Sequence, residues 1–350
     1  MSDTETDSVR ERFRSLLDQA NNRLVAGGVI AVLLILPVAL NTFWTRIAVG
    51  ALMWIGLAQS WNMIGGYAGY LDFGHGAYFG IGAFATAITM TTYELPFIVG
   101  LAVAAAVCAT ISLGVGIPTL RLKGAYFAIA TWAFAESMHE LALILDITGG
   151  TFGMSLPTGA DAIIIPFPGP PTEMFFYYVM LALAVGTTIL AYVLFERSEF
   201  GFRVKAVRDN EDAAQSLGIN AERIKRQVYV LSCSIAGLFG GANAFYITFI
   251  HPNDVLDALI TDQMIIMALL GGLGTIAGPI VGGLAIFMLD RMSSLFLGTS
   301  TLYLSMIGLL IMLTVLFAPS GIIGVLRGEV GITDVKDNVS ELADKFNFTR

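Results

Sequence analysis

Apolar runs that charges, or clusters of Gly and Pro, cut at intervals leave this chain few ways to fold. They cover residues 24–43, 47–63, 73–92, 97–117, 124–145, 174–195, 227–250, 259–271, 277–290 and 301–318. About 20 apolar residues cross a bilayer as an α-helix, and backbone surrounded by lipid must satisfy its own hydrogen bonds. Only 13% of the residues are charged, whereas a soluble globule needs about a quarter. The expected fold is an all-α integral membrane protein, a polytopic helical bundle of about eight to ten transmembrane helices. The eighth and ninth runs are short, and the "GGLGTIAGP" between them predicts a broken or re-entrant pair near the inner face.

Orientation follows from the basic residues, which stay on the cytoplasmic side. With the amino terminus inside, Arg46 and Arg291 alone of the 19 Lys and Arg fall on the outer face. Residues 1–23 then form a polar cytoplasmic segment and 24–326 the membrane domain. Within that domain 196–226 is a long cytoplasmic loop, and 327–350 is a cytoplasmic tail. The protein is thus expected in the cell membrane, multi-pass, with both termini inside. A polar stretch of that length before the first run is unlike a signal peptide, so the first span is expected to be retained. Cys108 and Cys233 lie inside apolar runs without metal or disulfide spacing and read as small buried side chains.

The loop contains "RDNEDAAQSLGIN" (208–220), a charged island between apolar runs. Asn210 suits an N-cap, Glu211 and Asp212 suit the first turn, and Gly218 suits a left-handed C′ position. A helix of about two turns is predicted, with Ala213, Ala214 and Leu217 on one face as a shallow apolar patch. So short a helix cannot stand alone in water, and flanking segments or a partner must hold it.

The pattern Glu211, Ala213, Ala214, Gly218 resembles the E-x-A-A-x-x-x-G signature of ABC importer permeases, whose cytoplasmic coupling helix sits in a groove of the ATPase. Further stretches resemble the branched-chain amino-acid permeases of the LivH/LivM type, and most of all the M-type subunit. They are "NMIGGYAGYLDFGHGAYFGIGAFATA" (62–87), "LRLKGAYFAIATWAFAE" (120–136), "TGGTFGM" (148–154), "FGFRVKAVRDNEDAAQSLGIN" (200–220) and "ALLGGLGTIAGPIVGG" (268–283). One departure is Phe202, where many relatives carry Arg. The resemblance implies a permease subunit that forms half a translocation path and couples to ATP hydrolysis elsewhere. It implies two ATP-binding cassette subunits, a homologous permease and an extracytoplasmic substrate-binding protein as partners. Branched-chain or related hydrophobic amino acids are the implied substrates, and a urea or short-amide importer is the alternative. An ion-coupled secondary transporter, the rival of a different class, would leave the coupling helix without a purpose.

Polar groups at membrane depth are costly and mark functional positions. Asp72 and His75 flank the third span, where they suit capping, a loop hydrogen bond or a substrate contact. Glu136 stands one turn before Glu140 with His139 adjacent, as a structural network or the lining of a path; Asp262 is another such group. Thr148, Gly149 and Gly150 form an outer turn, either an ordinary loop or a backbone nest for a carboxylate. The glycines at 65–82 serve close helix packing or break helices to line a cavity. No phosphate loop, zinc helix or catalytic pair is found, so no enzyme activity, cofactor, metal or catalytic residue is expected. The basic residues are too dispersed for nucleic acid.

Overall fold

A computed structural model describes residues 27–28, 30–157, 172–297, 308 and 321–326. The amino-terminal segment, the carboxyl tail and nearly all of the tenth predicted span lie outside the described residues. Helices dominate. α1 (Ile30–Ala39) leads into α2 (Thr42–Asn62), whose N-cap Asn41 accepts a hydrogen bond from the Trp44 amide. α2 runs on through a π-helical turn, Met63–Tyr67. α3 (His75–Thr91), α4 (Phe97–Thr119) and α5 (Ala125–Ile144) follow. α6 (Glu173–Ala191) ends in a second π turn, Tyr192–Arg197. α7 (Glu199–Asp209), α8 (Glu211–Ser216) and α9 (Ala221–Ile247) come next. α10 (Pro252–Val255), α11 (Ala258–Gly271), α12 (Ala277–Leu297) and α13 (Gly321–Leu326) complete the described helices. Two short antiparallel strands, β1 (Met154–Ser155) and β2 (Phe249–Ile250), pair Met154 with Ile250 and Ser155 with Phe249.

Among the described residues, four helical stretches are long and apolar enough to cross a membrane: Thr42–Tyr67, Phe97–Thr119, Glu173–Arg197 and Ala221–Ile247. α9 packs along α3 and α4 at the centre, and α2 packs against α6, α11 and α12. Small residues permit these approaches. A Cβ on Gly82 would overlap the Gly237 backbone, which brings α3 against α9, and one on Gly80 would overlap Leu256. The glycines of α3 therefore serve packing.

Several predicted boundaries shift. The second span starts at Thr42, so the expected connection at 44–46 is helical. α12 has 21 residues and is a full-length helix, not a short one; α11, with 14, is about 21 Å long and stays short. The 196–226 loop holds α7 as well as the expected coupling helix. α3, with 17 residues, is roughly 25 Å long, whereas α2 with its π turn extends roughly 39 Å. The start of α3 therefore lies well inside the bundle, and Gly69 (φ +77°) helps turn the chain back toward it.

Most of the described basic residues gather at one end. There Lys205 and Tyr67 share Glu196, Arg121 lies beside Glu222, and Lys123 beside Asp212. At the opposite end Arg46 bonds Glu173 at 2.6 Å, and Tyr246 donates to the same carboxylate.

Candidate functional site

α8 is built as its residue types dictate. The Asn210 side chain accepts from the Ala213 amide at 3.0 Å, and Glu211 and Asp212 stand in the first turn. At the other end the Ile219 amide donates to the Ala214 carbonyl and the Gly218 amide to that of Gln215, which closes a Schellman motif. Gly218 sits at φ +84°, and an added Cβ would meet nothing within 4 Å, so strain and not collision demands glycine there.

The predicted apolar face divides in two. Ala214 is buried against the protein's own core, while Ala213 is exposed and Leu217 is 82% exposed. Ala214 thus seats the helix, and Leu217 projects from it. Glu211 also turns inward. Its carboxylate accepts from Lys225 Nζ at 2.8 Å and from the Tyr70 hydroxyl at 3.3 Å. Lys225, nearly fully buried, also donates to the Leu120 carbonyl at 3.1 Å and stands 5.2 Å from the Tyr70 ring centre. Partial burial pushes the Glu211 carboxyl up, but the hydrogen bond and charge of Lys225 prevail and hold it below its ordinary value. Sequence reasoning missed Lys225, which stands between Arg223 and Arg226 in the charged first turns of α9, so nothing in the local pattern singled it out as the buried partner of Glu211.

Rings continue inward from this anchor. Tyr70 meets Phe127 edge-on at 5.3 Å, Phe127 meets Tyr229 at 6.2 Å, Tyr229 meets Tyr78 at 5.9 Å, and Tyr78 meets Phe134 at 5.4 Å. The Tyr78 and Tyr229 hydroxyls are 3.1 Å apart. A second tie runs from α7: Arg208 donates to the Gly66 carbonyl at 2.8 Å. Asn62 donates to the Thr275 carbonyl and accepts from the Gly274 amide, each at 2.9 Å, which fastens the "GGLG" break between α11 and α12.

Asp72 and His75 are fully buried at the start of α3. Asp72 accepts from the Gly74 amide at 2.9 Å, and its other oxygen is 3.0 Å from His75 Nδ1. His75 Nε2 lies 3.1 Å from Ser60 Oγ. Thr131 and Thr261 accept the Phe73 and Gly76 amides. The amides of Phe73, Gly74 and Gly76, at and just before the start of the helix, thereby find side-chain acceptors. The pair caps the start of α3 and cross-links it to α2, and both side chains are buried. Cys233 lies close enough for the donor atoms of Asp72, His75 and Cys233 to fall within 4.8 Å of one another. With both His75 nitrogens already engaged, the arrangement is a hydrogen-bond network.

Thr148 makes local hydrogen bonds. Its hydroxyl contacts the Ala142 and Leu145 carbonyls at 2.6 and 2.7 Å and closes the end of α5. Gly149 (φ +76°) and Gly150 (φ +53°) turn the chain toward β1.

The outward face of α5 differs. Tyr126, Ile129, Trp132, Glu136 and Glu140 recur along it, all exposed. Glu136, His139 and Glu140 bring donor atoms within 4.8 Å, and His139 Nε2 lies 2.9 Å from Asn253 Oδ1. Beside Trp132, an open hollow of about 310 Å³ is lined by Phe73, by Ala128, Ile129 and Trp132 of α5, and by Ala258 and Asp262 of α11.

The model of the family described as "Branched-chain amino acid transport system / permease component" matches residues 43–316. The chain is 28% identical to the Escherichia coli high-affinity branched-chain amino acid transport system permease protein LivM, over 86% of this chain and 76% of that protein. It is 28% identical to a probable LivM of Methanocaldococcus jannaschii, over 78% of this chain and 92% of that one. The LivH protein of Salmonella typhimurium matches at 25% over 77% of this chain and 90% of its own. No solved structure matches. With the family model covering most of its length, this chain belongs to the branched-chain amino acid transport system permease family.

Proposed function

We propose that this chain is one permease of an ABC importer for branched-chain amino acids, pairing with a homologous permease and driven by two ATP-binding cassette subunits. An extracytoplasmic binding protein delivers the substrate, and this chain itself catalyses no reaction. The basic end of the bundle faces the cytoplasm, in accord with the distribution of Lys and Arg. The observation that carries the reading is α8, a helix too short to stand alone. It is capped at both ends and anchored by the Glu211–Lys225 pair, and it thrusts Leu217 into open space. Phe202, 70% exposed on the adjacent α7, enlarges the apolar surface offered to an ATPase.

The exposed face of α5 supports a path along this side of the molecule. Glu136 lies about 18 Å along a helix of 20 residues, too deep for a lipid-facing carboxylate. Water and a second permease meet that requirement. Glu136 is assigned to the path, whereas Asp72, His75, Thr148, Gly149 and Gly150 support the fold around it.

The test is reconstitution in proteoliposomes with the subunits encoded beside this chain. ATP-dependent leucine uptake that requires the binding protein is expected. Urea uptake in its place would move the substrate to the short-amide class. Uptake by the isolated chain on a Na⁺ or H⁺ gradient would overturn the assignment to the ABC class.

A further inference from the structure

Asp262 is a half-buried carboxylate on the second turn of α11, and it makes no hydrogen bond or ion pair with any described residue. The charge that bears most on it is another carboxylate, Asp257, the N-cap of α11. An unpaired carboxylate within a membrane domain is costly unless a cation or water reaches it. Its surroundings select between these. Asp262 shares its hollow with the rings of Trp132 and Phe73 and with three aliphatic side chains, and no Lys or Arg lines it. A carboxylate beside aromatic rings is a receptor for a small organic cation, because the ring faces and the carboxylate both favour positive charge. At about 310 Å³ the hollow has room for a small group such as an ammonium, and it stays open on one side. It lies one turn from Glu136 along α5, and at its back the Phe73 amide is held by Thr131.

We propose that this hollow is an ammonium subsite: Asp262 receives the α-ammonium of a zwitterionic amino acid during passage, with Trp132 and Phe73 flanking it. This rests on the importer reading above and adds the group that would distinguish an amino acid from a neutral amide such as urea.

The assembled transporter in proteoliposomes, with labelled leucine as the probe, tests it. Asp262→Asn is expected to lower leucine uptake about 10- to 100-fold at saturating binding protein while the partner subunits still co-purify. Asp262→Glu and Trp132→Phe are expected to retain more activity than Asp262→Asn and Trp132→Ala. A readout independent of turnover uses Ile129→Cys. A cationic thiol reagent should label it from water, and leucine should slow that labelling. Wild-type uptake by Asp262→Asn, or labelling of Ile129→Cys that leucine leaves unchanged, overturns the subsite. Should Asp262→Asn fail to assemble, the Ile129→Cys result decides. Absence of leucine uptake by the wild-type complex would instead sink the importer reading for amino acids, so the two failures are distinguishable.

Discussion

The ammonium of Lys225 lies 2.8 Å from the carboxylate of Glu211, and this pair fastens the short helix α8 to the long apolar helix α9. Lys225 is almost wholly buried, so removing Glu211 would strand a charge. Glu211→Ala is therefore expected to lower stability by about 3 kcal/mol. Glu211→Gln with Lys225→Met should recover much of that loss without restoring ATPase-driven transport. Thermal unfolding in detergent and uptake in proteoliposomes measure the two effects.

The same pair predicts a pH dependence. The folded-state pKa of Glu211 lies below its ordinary 4.5, so its stabilisation is fully present above that value and disappears as the pH falls through the lowered one. Thermal stability of the Glu211→Gln variant should accordingly be less sensitive to acid than that of the wild type. Equal acid sensitivity of the two proteins would remove Glu211 from this role.

Leu217 and Ala214 separate docking from folding. Leu217 is 82% exposed, so Leu217→Glu should leave the melting temperature unchanged and weaken ATPase co-purification about tenfold or more. Ala214→Glu would place a charge against the core and should destabilise the protein itself. Normal co-purification with Leu217→Glu would exclude this surface as the contact.

Caps give smaller effects. Asn210→Ala removes the acceptor of the Ala213 amide and should cost about 1 kcal/mol. Gly218→Ala should cost about 1–2 kcal/mol through its positive φ, although the space around it is open. Hydrogen exchange across residues 210–219 would register both.

Thr148→Ala distinguishes a capping role from a substrate contact. With its hydroxyl engaged by the Ala142 and Leu145 carbonyls, the substitution should lower stability by about 1 kcal/mol and leave the KM for leucine unchanged. A KM raised several-fold at unchanged stability would return Thr148 to the path.

Local chemistry was legible in the sequence where the deciding contacts are close in the chain. The Asn210 cap, the left-handed Gly218 and the Asp72–His75 bond span at most a few residues, and each forms as its residue types require. The helical spans were legible because lipid imposes their length. What escaped was set by distant partners. Ala214 and Leu217 look alike as helix-face residues, yet only packing against the bundle decides that the first is covered and the second free. Likewise, nothing near residue 75 signals that α3 starts at depth; Thr131 and Thr261, on other helices, supply the acceptors that make it possible. Trp132 lies within the "LRLKGAYFAIATWAFAE" stretch, but nothing there singled it out, and its place in a hollow with Asp262 of α11 is set by tertiary packing.

The ring series from Tyr70 to Phe134 has a mechanical corollary. Interiors packed at crystal density scarcely compress, so a push on the Glu211 end must move Tyr70, Phe127, Tyr229 and Tyr78 nearly in unison. Phe134, the last in the row, belongs to the helix that also bears Trp132. On the proposed importer reading, thrust applied at α8 would thus reach α5, the helix that borders the hollow in front of Asp262.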